Sequence, residues 1–228
     1  MIRSLRALSL LLGYPSAELQ AHIGDIREAL RVERLAPESA LKALEPLLAR
    51  LETGDLFDLQ SDYTDLFDRS RKLSLHLFEH VHGDSRDRGP AMVDLGQTYI
   101  DRGFIMTLAE LPDYLPLYLE FLACQPFAEA RDLLGEPAHV LAALQQRLAE
   151  RASPYAAVFA ALLGLAEARP DAAALKALLE RDPAGEADVD DEWSEAPVTF
   201  GRPDHEAGGP TGLVAKIRAG RRSAPART

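Results

Sequence analysis

Leu41-Lys-Ala-Leu44-Glu-Pro46-Leu-Leu48-Ala-Arg-Leu51-Glu-Thr-Gly54-Asp55-Leu56-Phe-Asp-Leu59-Gln-Ser-Asp-Tyr63-Thr-Asp-Leu66-Phe67 carries two apolar stripes of helical period back to back. Leu41, Leu44, Leu48 and Leu51 recur at three- and four-residue spacing, which places them on one helix face until Gly54 ends the run. Pro46 lies inside it and is expected to kink or divide that helix, because proline has no N–H to donate to the preceding turn. Asp55 then offers an N-cap for a second helix striped by Leu56, Leu59, Tyr63 and Leu66, with Phe67 adjacent, ending near Asp68.

The same period extends outward in both directions. Ile2, Leu5, Leu8 or Ser9 and Leu12 form a first stripe closed by Gly13-Tyr14-Pro15, and Ser16 can cap a helix whose Leu19, Ile23, Ile26 and Leu30 share a face. The opening residues superficially resemble a short signal peptide, but the apolar run is barely eight residues and contains Ser9, so a first helix is the reading adopted. Downstream, Pro90 suits a first helical turn, with Met92, Leu95 and Tyr99 on one side up to Gly103. Asp113 can cap a helix from Leu115 to Cys124, and further helices are expected around 127–134, 137–151, 154–167 and 171–181. No fixed repeat and no sustained alternation occurs, which argues against a solenoid or a sheet.

Composition agrees. Leu and Ala dominate over Val, Ile and Thr, a balance that favours helices over strands, so an all-α, compact multi-helix bundle is expected over residues 1–182. From 183 onward the texture changes: six acids fall within Glu186 to Glu195, and Gly, Pro and Arg crowd the last stretch, leaving little apolar area to offset ordering entropy. Residues 183–228 are therefore expected to be a flexible, acidic and then basic tail, with Trp193, Val198 and Phe200, and Leu213 to Arg218, as islands able to dock.

The net charge of -11 argues against a phosphate-backbone surface, which needs clustered Lys and Arg. A partner carrying basic residues fits better. Cys124, the single cysteine, cannot form an internal disulfide and is expected to be a small buried apolar side chain. The longest apolar run, Ala156 to Ala166, is eleven residues, short of the ~20 needed to cross a bilayer. A cytoplasmic protein with no membrane insertion is expected.

One segment is richer in polar chemistry than packing requires. Phe78-Glu-His-Val-His-Gly-Asp-Ser-Arg-Asp-Arg-Gly-Pro-Ala-Met92 gathers Glu79, His80, His82, Asp84, Arg86, Asp87 and Arg88 between long apolar stretches. Arg86 and Arg88 precede a helix start, where cations are unfavourable, so they need carboxylates from Glu79, Asp84, Asp87 or Asp113. Pinning an irregular loop is the main duty expected of Arg86 and Asp87, with direct ligand contact as the other reading.

With Ser74-Leu75 before it, Glu110-Leu-Pro-Asp113-Tyr114-Leu-Pro116 after it and Leu11-Leu-Gly-Tyr-Pro15 near the start, this segment resembles the signature of the NarJ-type chaperones. These are the delta-subunit family of respiratory nitrate reductase, within the TorD-like group of molybdoenzyme assembly chaperones. Tyr63-Thr-Asp-Leu-Phe67 is similar to an aromatic-x-x-Leu-Phe pattern of the wider group. The resemblance implies a helical bundle of the TorD-like type that catalyses nothing and holds no cofactor. Its implied partner is the nitrate reductase α subunit, gripped through its N-terminal segment and in its cofactor-free form, possibly within an αβ complex. A monomer is expected, with a dimer as the alternative. The wider group has a Glu-x-x-Asp-His motif considered for nucleotide binding; Tyr114 stands where that His would be, so the inference does not transfer.

Amphipathic peptides dock by laying apolar anchors in a cleft while charged rim groups set their orientation. Tyr63, Phe67, Leu75, Phe78, Tyr114, Leu115 and Tyr118 are the candidate cleft, although each alone would equally suit a core. Glu79, Asp84 and Asp113 are the candidate acceptors for basic residues, and His80, His82, Arg86 and Arg88 complete the candidate surface. Two competing readings remain: a related chaperone with another molybdoenzyme client, and a zinc hydrolase using His76-Leu-Phe-Glu79-His80, the H-x-x-E-H pattern, with both His on one helix face. No metal, and no catalytic residue, is expected.

Overall fold

The computed structural model describes residues 1–83, 85–105, 110–166 and 169–180. Among them are twelve α-helices and one 3-10 turn, with a single isolated bridge in place of any strand. In chain order the helices are α1 (Arg3–Leu11), α2 (Ala17–Ala21), α3 (Ile23–Glu33), α4 (Glu38–Thr53), α5 (Leu56–Phe67), α6 (Leu77–His82), α7 (Arg88–Asp101), α8 (Leu115–Ala123), α9 (Phe127–Gly135), α10 (Ala138–Glu150), α11 (Ala156–Ala166) and α12 (Ala172–Glu180). The all-α bundle read from the sequence is the fold. The 183–228 tail and Asp84 lie outside the described residues.

The core is built around α11 and α8, in each of which most residues are buried. In α11, Val158, Phe159, Ala161, Leu162 and Leu165 are buried, and the helix packs against α4, α9 and α10. Gly164 lets α11 approach the turn before α4, since a Cβ there would collide with the Pro37 ring. In α8, Leu115, Leu119, Phe121 and Leu122 are fully enclosed, and α1 lies along it with Leu5, Leu8 and Leu11 at 0% exposure. Burial of each such leucine stabilises the fold by roughly 2 kcal/mol. Two hydrogen bonds fix α1 antiparallel to α8: Ile2 N–H donates to the Ala123 carbonyl at 2.7 Å, and Ser9 Oγ to the Pro116 carbonyl at 2.8 Å.

Several local expectations are corrected. The expected single helix over Leu19 to Leu30 is two, because His22 leaves helical geometry at φ -107° and its Nδ1 donates to the Glu18 carbonyl at 2.9 Å, closing the first helix. Leu19, Ile23, Ile26 and Leu30 are still all buried. Pro46 does not divide α4; it lies inside that helix, on its exposed face. α7 begins at Arg88 rather than Pro90, with Pro90 still in its first turn. Cys124 is exposed, not buried: the apolar run ends with Phe121, Leu122 and Ala123 facing the core, and residue 124 is the outward-turned C-cap. Asp113 is not the cap of α8, whose N-cap is Tyr114.

Candidate functional site

The chain between α5 and α6 is not α-helical. A 3-10 turn at Arg71–Leu73 delivers Ser74, Leu75 and His76 in stretched conformation, and this strip pairs with residues 113–115. Leu115 N–H donates to the Leu75 carbonyl at 2.9 Å, and Leu77 N–H to the Asp113 carbonyl at 3.0 Å. The starts of α6 and α8 are thereby joined by main-chain bonds flanking the His76–Tyr114 bridge.

Asp113 completes the junction. Its side chain is fully buried; Oδ2 accepts from the Phe78 N–H at 3.0 Å and Oδ1 from His76 Nδ1 at 3.2 Å. It therefore caps α6, a helix with no side-chain cap of its own, from 35 residues away. Arg88 reaches 4.0 Å from the same carboxylate and donates to Glu79 Oε1 at 3.2 Å. The Asp113 bond raises the His76 pKa above its ordinary value despite the opposing effect of burial. His80 lies deeper, its Nε2 donating to the Ser74 carbonyl at 2.8 Å, and burial lowers its pKa. Gly83, at φ +54°, takes the left-handed turn that closes α6.

Beside this junction a cleft of about 250 Å3 is lined by Tyr14, Tyr63, Phe67, Asp68, Leu75, His76, Glu110 and Tyr114. Its aromatic wall is rigid. Tyr63 OH donates to the Leu12 carbonyl at 2.8 Å, its ring lies 4.9 Å from Phe67 and 5.5 Å from Tyr14, and Tyr155 backs Phe67 at 5.1 Å. Burial pushes the Tyr63 and Tyr114 hydroxyls above the ordinary phenol range, so both stay neutral donors and acceptors. The mouth carries the carboxylates of Asp68 and Glu110.

The structure thus brings together four of the residues expected to form a cleft: Tyr63, Phe67, Leu75 and Tyr114. Leu115 is entirely buried, and Tyr118 is buried with its hydroxyl on the Leu133 carbonyl at 2.7 Å, so both serve the core. Phe78 is half-buried and packs edge-on against His82, 5.4 Å away. His80 and Asp113, expected on the binding surface, are enclosed and committed to internal bonds. Pinning falls to Arg88 with Glu79 and Asp113, whereas Arg86 and Asp87 are exposed; Asp87 instead bonds Ser85 Oγ locally, at 3.1 Å.

Sequence reasoning missed Tyr14, Asp68, His76 and Glu110 as lining residues. An aromatic in a Gly-Tyr-Pro turn was the available signal for Tyr14; His76 stood out only within the H-x-x-E-H pattern and Glu110 only within the stretch from Glu110 to Pro116, and nothing local marked Asp68 as a lining residue. The H-x-x-E-H geometry is not realised. His76 precedes α6 as its N-cap and turns to Asp113, while His80 points inward, so the two imidazoles do not share a helix face. Among the described residues, no group of three His, Cys, Asp or Glu side chains is placed to hold a metal ion. Nor, among them, is any helix long and apolar enough to cross a membrane.

Comparison with known proteins places this architecture. Residues 17–161 match the family model described as the nitrate reductase delta subunit. The chain is 44% identical over 196 residues, 85% of its length and 83% of the relative's, to the nitrate reductase molybdenum cofactor assembly chaperone NarJ of Escherichia coli (strain K12). It is 40% identical over 199 residues, 86% of its length and 83% of the relative's, to the probable chaperone NarW of the same strain. A probable NarJ chaperone of Bacillus subtilis (strain 168) is 33% identical over 165 residues, 71% of this chain and 86% of that one. These relatives are named as assembly chaperones and not as catalysts. On its family match and these identities, the chain belongs to the nitrate reductase delta subunit family.

Proposed function

We propose that this chain is a dedicated cytoplasmic assembly chaperone for the catalytic, molybdenum-bearing α subunit of a nitrate reductase. It grips that subunit's N-terminal segment in the aromatic cleft and keeps the cofactor-free form open for insertion of the molybdenum cofactor before membrane docking. The observation that carries the reading is the cleft itself: a fixed wall of Tyr63, Phe67 and Tyr114 beneath two acidic mouth residues, Asp68 and Glu110. Aromatic rings on a rigid backing give contact area at little entropic cost, and the carboxylates select a segment bearing cations. No bond is made or broken. The work is done by differential affinity, tight for the unloaded client and weak for the loaded one.

The test is calorimetric titration with a synthetic peptide copying the N-terminal segment of the organism's own nitrate reductase α subunit. Tyr114→Ala and Asp68→Lys are each expected to weaken binding by about tenfold, the range of a single cleft anchor or rim charge. Asp68 is exposed, so its variant leaves the fold intact. Unchanged affinity in both would remove the cleft as the binding site.

A further inference from the structure

The geometry points to a longer binding surface: the segment seated in the aromatic cleft continues over Tyr14 into the trough between α1 and the α2–α3 pair. This rests on the cleft reading above and adds a second half to it. Size is the first argument. The cleft, at about 250 Å3, is smaller than the ~300–1,000 Å3 of pockets that hold a whole small ligand, so it admits one or two side chains and not a row of anchors. The trough beside it measures about 640 Å3. Its apolar lining includes Leu10, Leu19, Ile26 and Pro116, and Ala7 and Ala29 leave it deep. Leu10 is 39% exposed on a helix whose other leucines are all buried, so this apolar surface has no partner within the described residues.

Continuity is the second argument. Tyr14 is a wall of both concavities. It is 53% exposed, yet its ring is braced edge-on against Tyr63, which fixes it as a ridge that an incoming chain must cross. Tyr14 follows the C-terminal end of α1 while Arg3 begins it, so the trough runs the length of that helix. The nine residues of α1 make two and a half turns, roughly 13 Å, which is room for anchors at i, i+3 or i+4 and i+7.

Charge is the third. Glu18 and Asp25 line the trough with the same sign as Asp68 and Glu110 in the cleft, and both are exposed. Arg6 is paired with Glu120, and Arg3 sits at the far end, where α1 begins beside Glu33. The partner that fits is an amphipathic segment with its cations on the Tyr14 side and its apolar side chains in the trough. Its cationic stretch stops before the Arg3 end, where like charge repels it.

The same α-subunit peptide, titrated into the full-length chain, tests this. The double variant Glu18→Lys with Asp25→Lys, and separately Leu10→Ser, are expected to weaken binding by about tenfold and a few-fold respectively, with unaltered circular dichroism. Loss in both the trough variants and the cleft variants supports one continuous surface. Loss in the cleft variants alone, with trough variants within twofold of wild type, overturns this inference and leaves the cleft reading standing. Loss in the trough variants alone overturns the joined surface and the cleft reading together, as does an absence of binding by the wild type.

Discussion

Among the described helices that begin without a side-chain cap of their own, α1 and α6 each borrow a carboxylate from a distant part of the chain. At α1 the lender is Glu33, whose two oxygens accept from the Arg3 and Ser4 N–H groups at 2.8 and 2.7 Å. At α6 the lender is Asp113. What surrounds the two carboxylates differs. Burial alone would raise the Glu33 carboxyl, but the two N–H bonds, together with the Ser4 hydroxyl and the Arg3 charge, more than offset it and hold it below its ordinary value. Asp113 is sealed from solvent and shared among a backbone N–H, an imidazole and, at longer range, a guanidinium. The helices differ too: α1 buries six of its nine residues, α6 only Leu77 and His80. Where apolar burial is ample, a borrowed cap trims the end of an already stable helix. Where it is scarce, the polar junction holds the helix in place, and the candidate cleft is built against that second kind of support.

The largest effect should come from Asp113→Ala. It leaves a buried N–H without an acceptor and removes a buried charge from its partners, so a loss of about 3 kcal/mol in denaturant unfolding is expected. Amide exchange across residues 77–82 should accelerate more than that of α1. Glu33→Ala should cost only about 1 kcal/mol, the usual worth of a helix cap. Equal losses at the two sites would break the contrast drawn above. An effect no larger than that at Glu33, and confined to part of the pH range, lies in the response of the two histidines four residues apart. His76 has a raised pKa in the fold, so its contribution is complete below the ordinary imidazole value of 6.5 and disappears as pH rises through the raised one. His80 has a lowered pKa, so its contribution is complete above 6.5 and is lost as pH falls through the depressed value. His76→Gln should therefore lose about 1 kcal/mol against wild type in mild acid and little in alkali, read as midpoint differences across a pH series. A deficit that grows with rising pH would contradict the His76–Asp113 bond.

Much of the helical architecture could be read directly from the chain, because each signal is local. Gly54 and Asp55 end one helix and begin the next, and Ser16 caps α2 through a bond from Leu19 N–H. The readings that failed concern relations between remote residues. Asp113 precedes Leu115 at a spacing suited to capping, yet its carboxylate serves a helix that lies earlier in the chain. His76 and His80 have the spacing of a shared helix face, but pairing with Tyr114 holds His76 in an extended strip before that helix starts. Cys124 closes an apolar run and still faces out, because hydropathy does not say where a helix ends. Within the candidate site, the aromatic half was legible because large rings announce themselves. Asp68 and Glu110 were not, since among 36 acidic residues only the fold distinguishes a mouth from a solvated face.

The short clasp around His76 and Tyr114 bears on how the cleft can move. Its two main-chain hydrogen bonds straddle the wall residues, with one residue between their anchor points on each strand. Prising α6 from α8 strains both links at once, and neither lengthens far before it fails. The gap should therefore behave as a latch with two settings rather than as an elastic jaw. A guest that needed more width would have to spring it open, and one that did not would find its seat already cut to size.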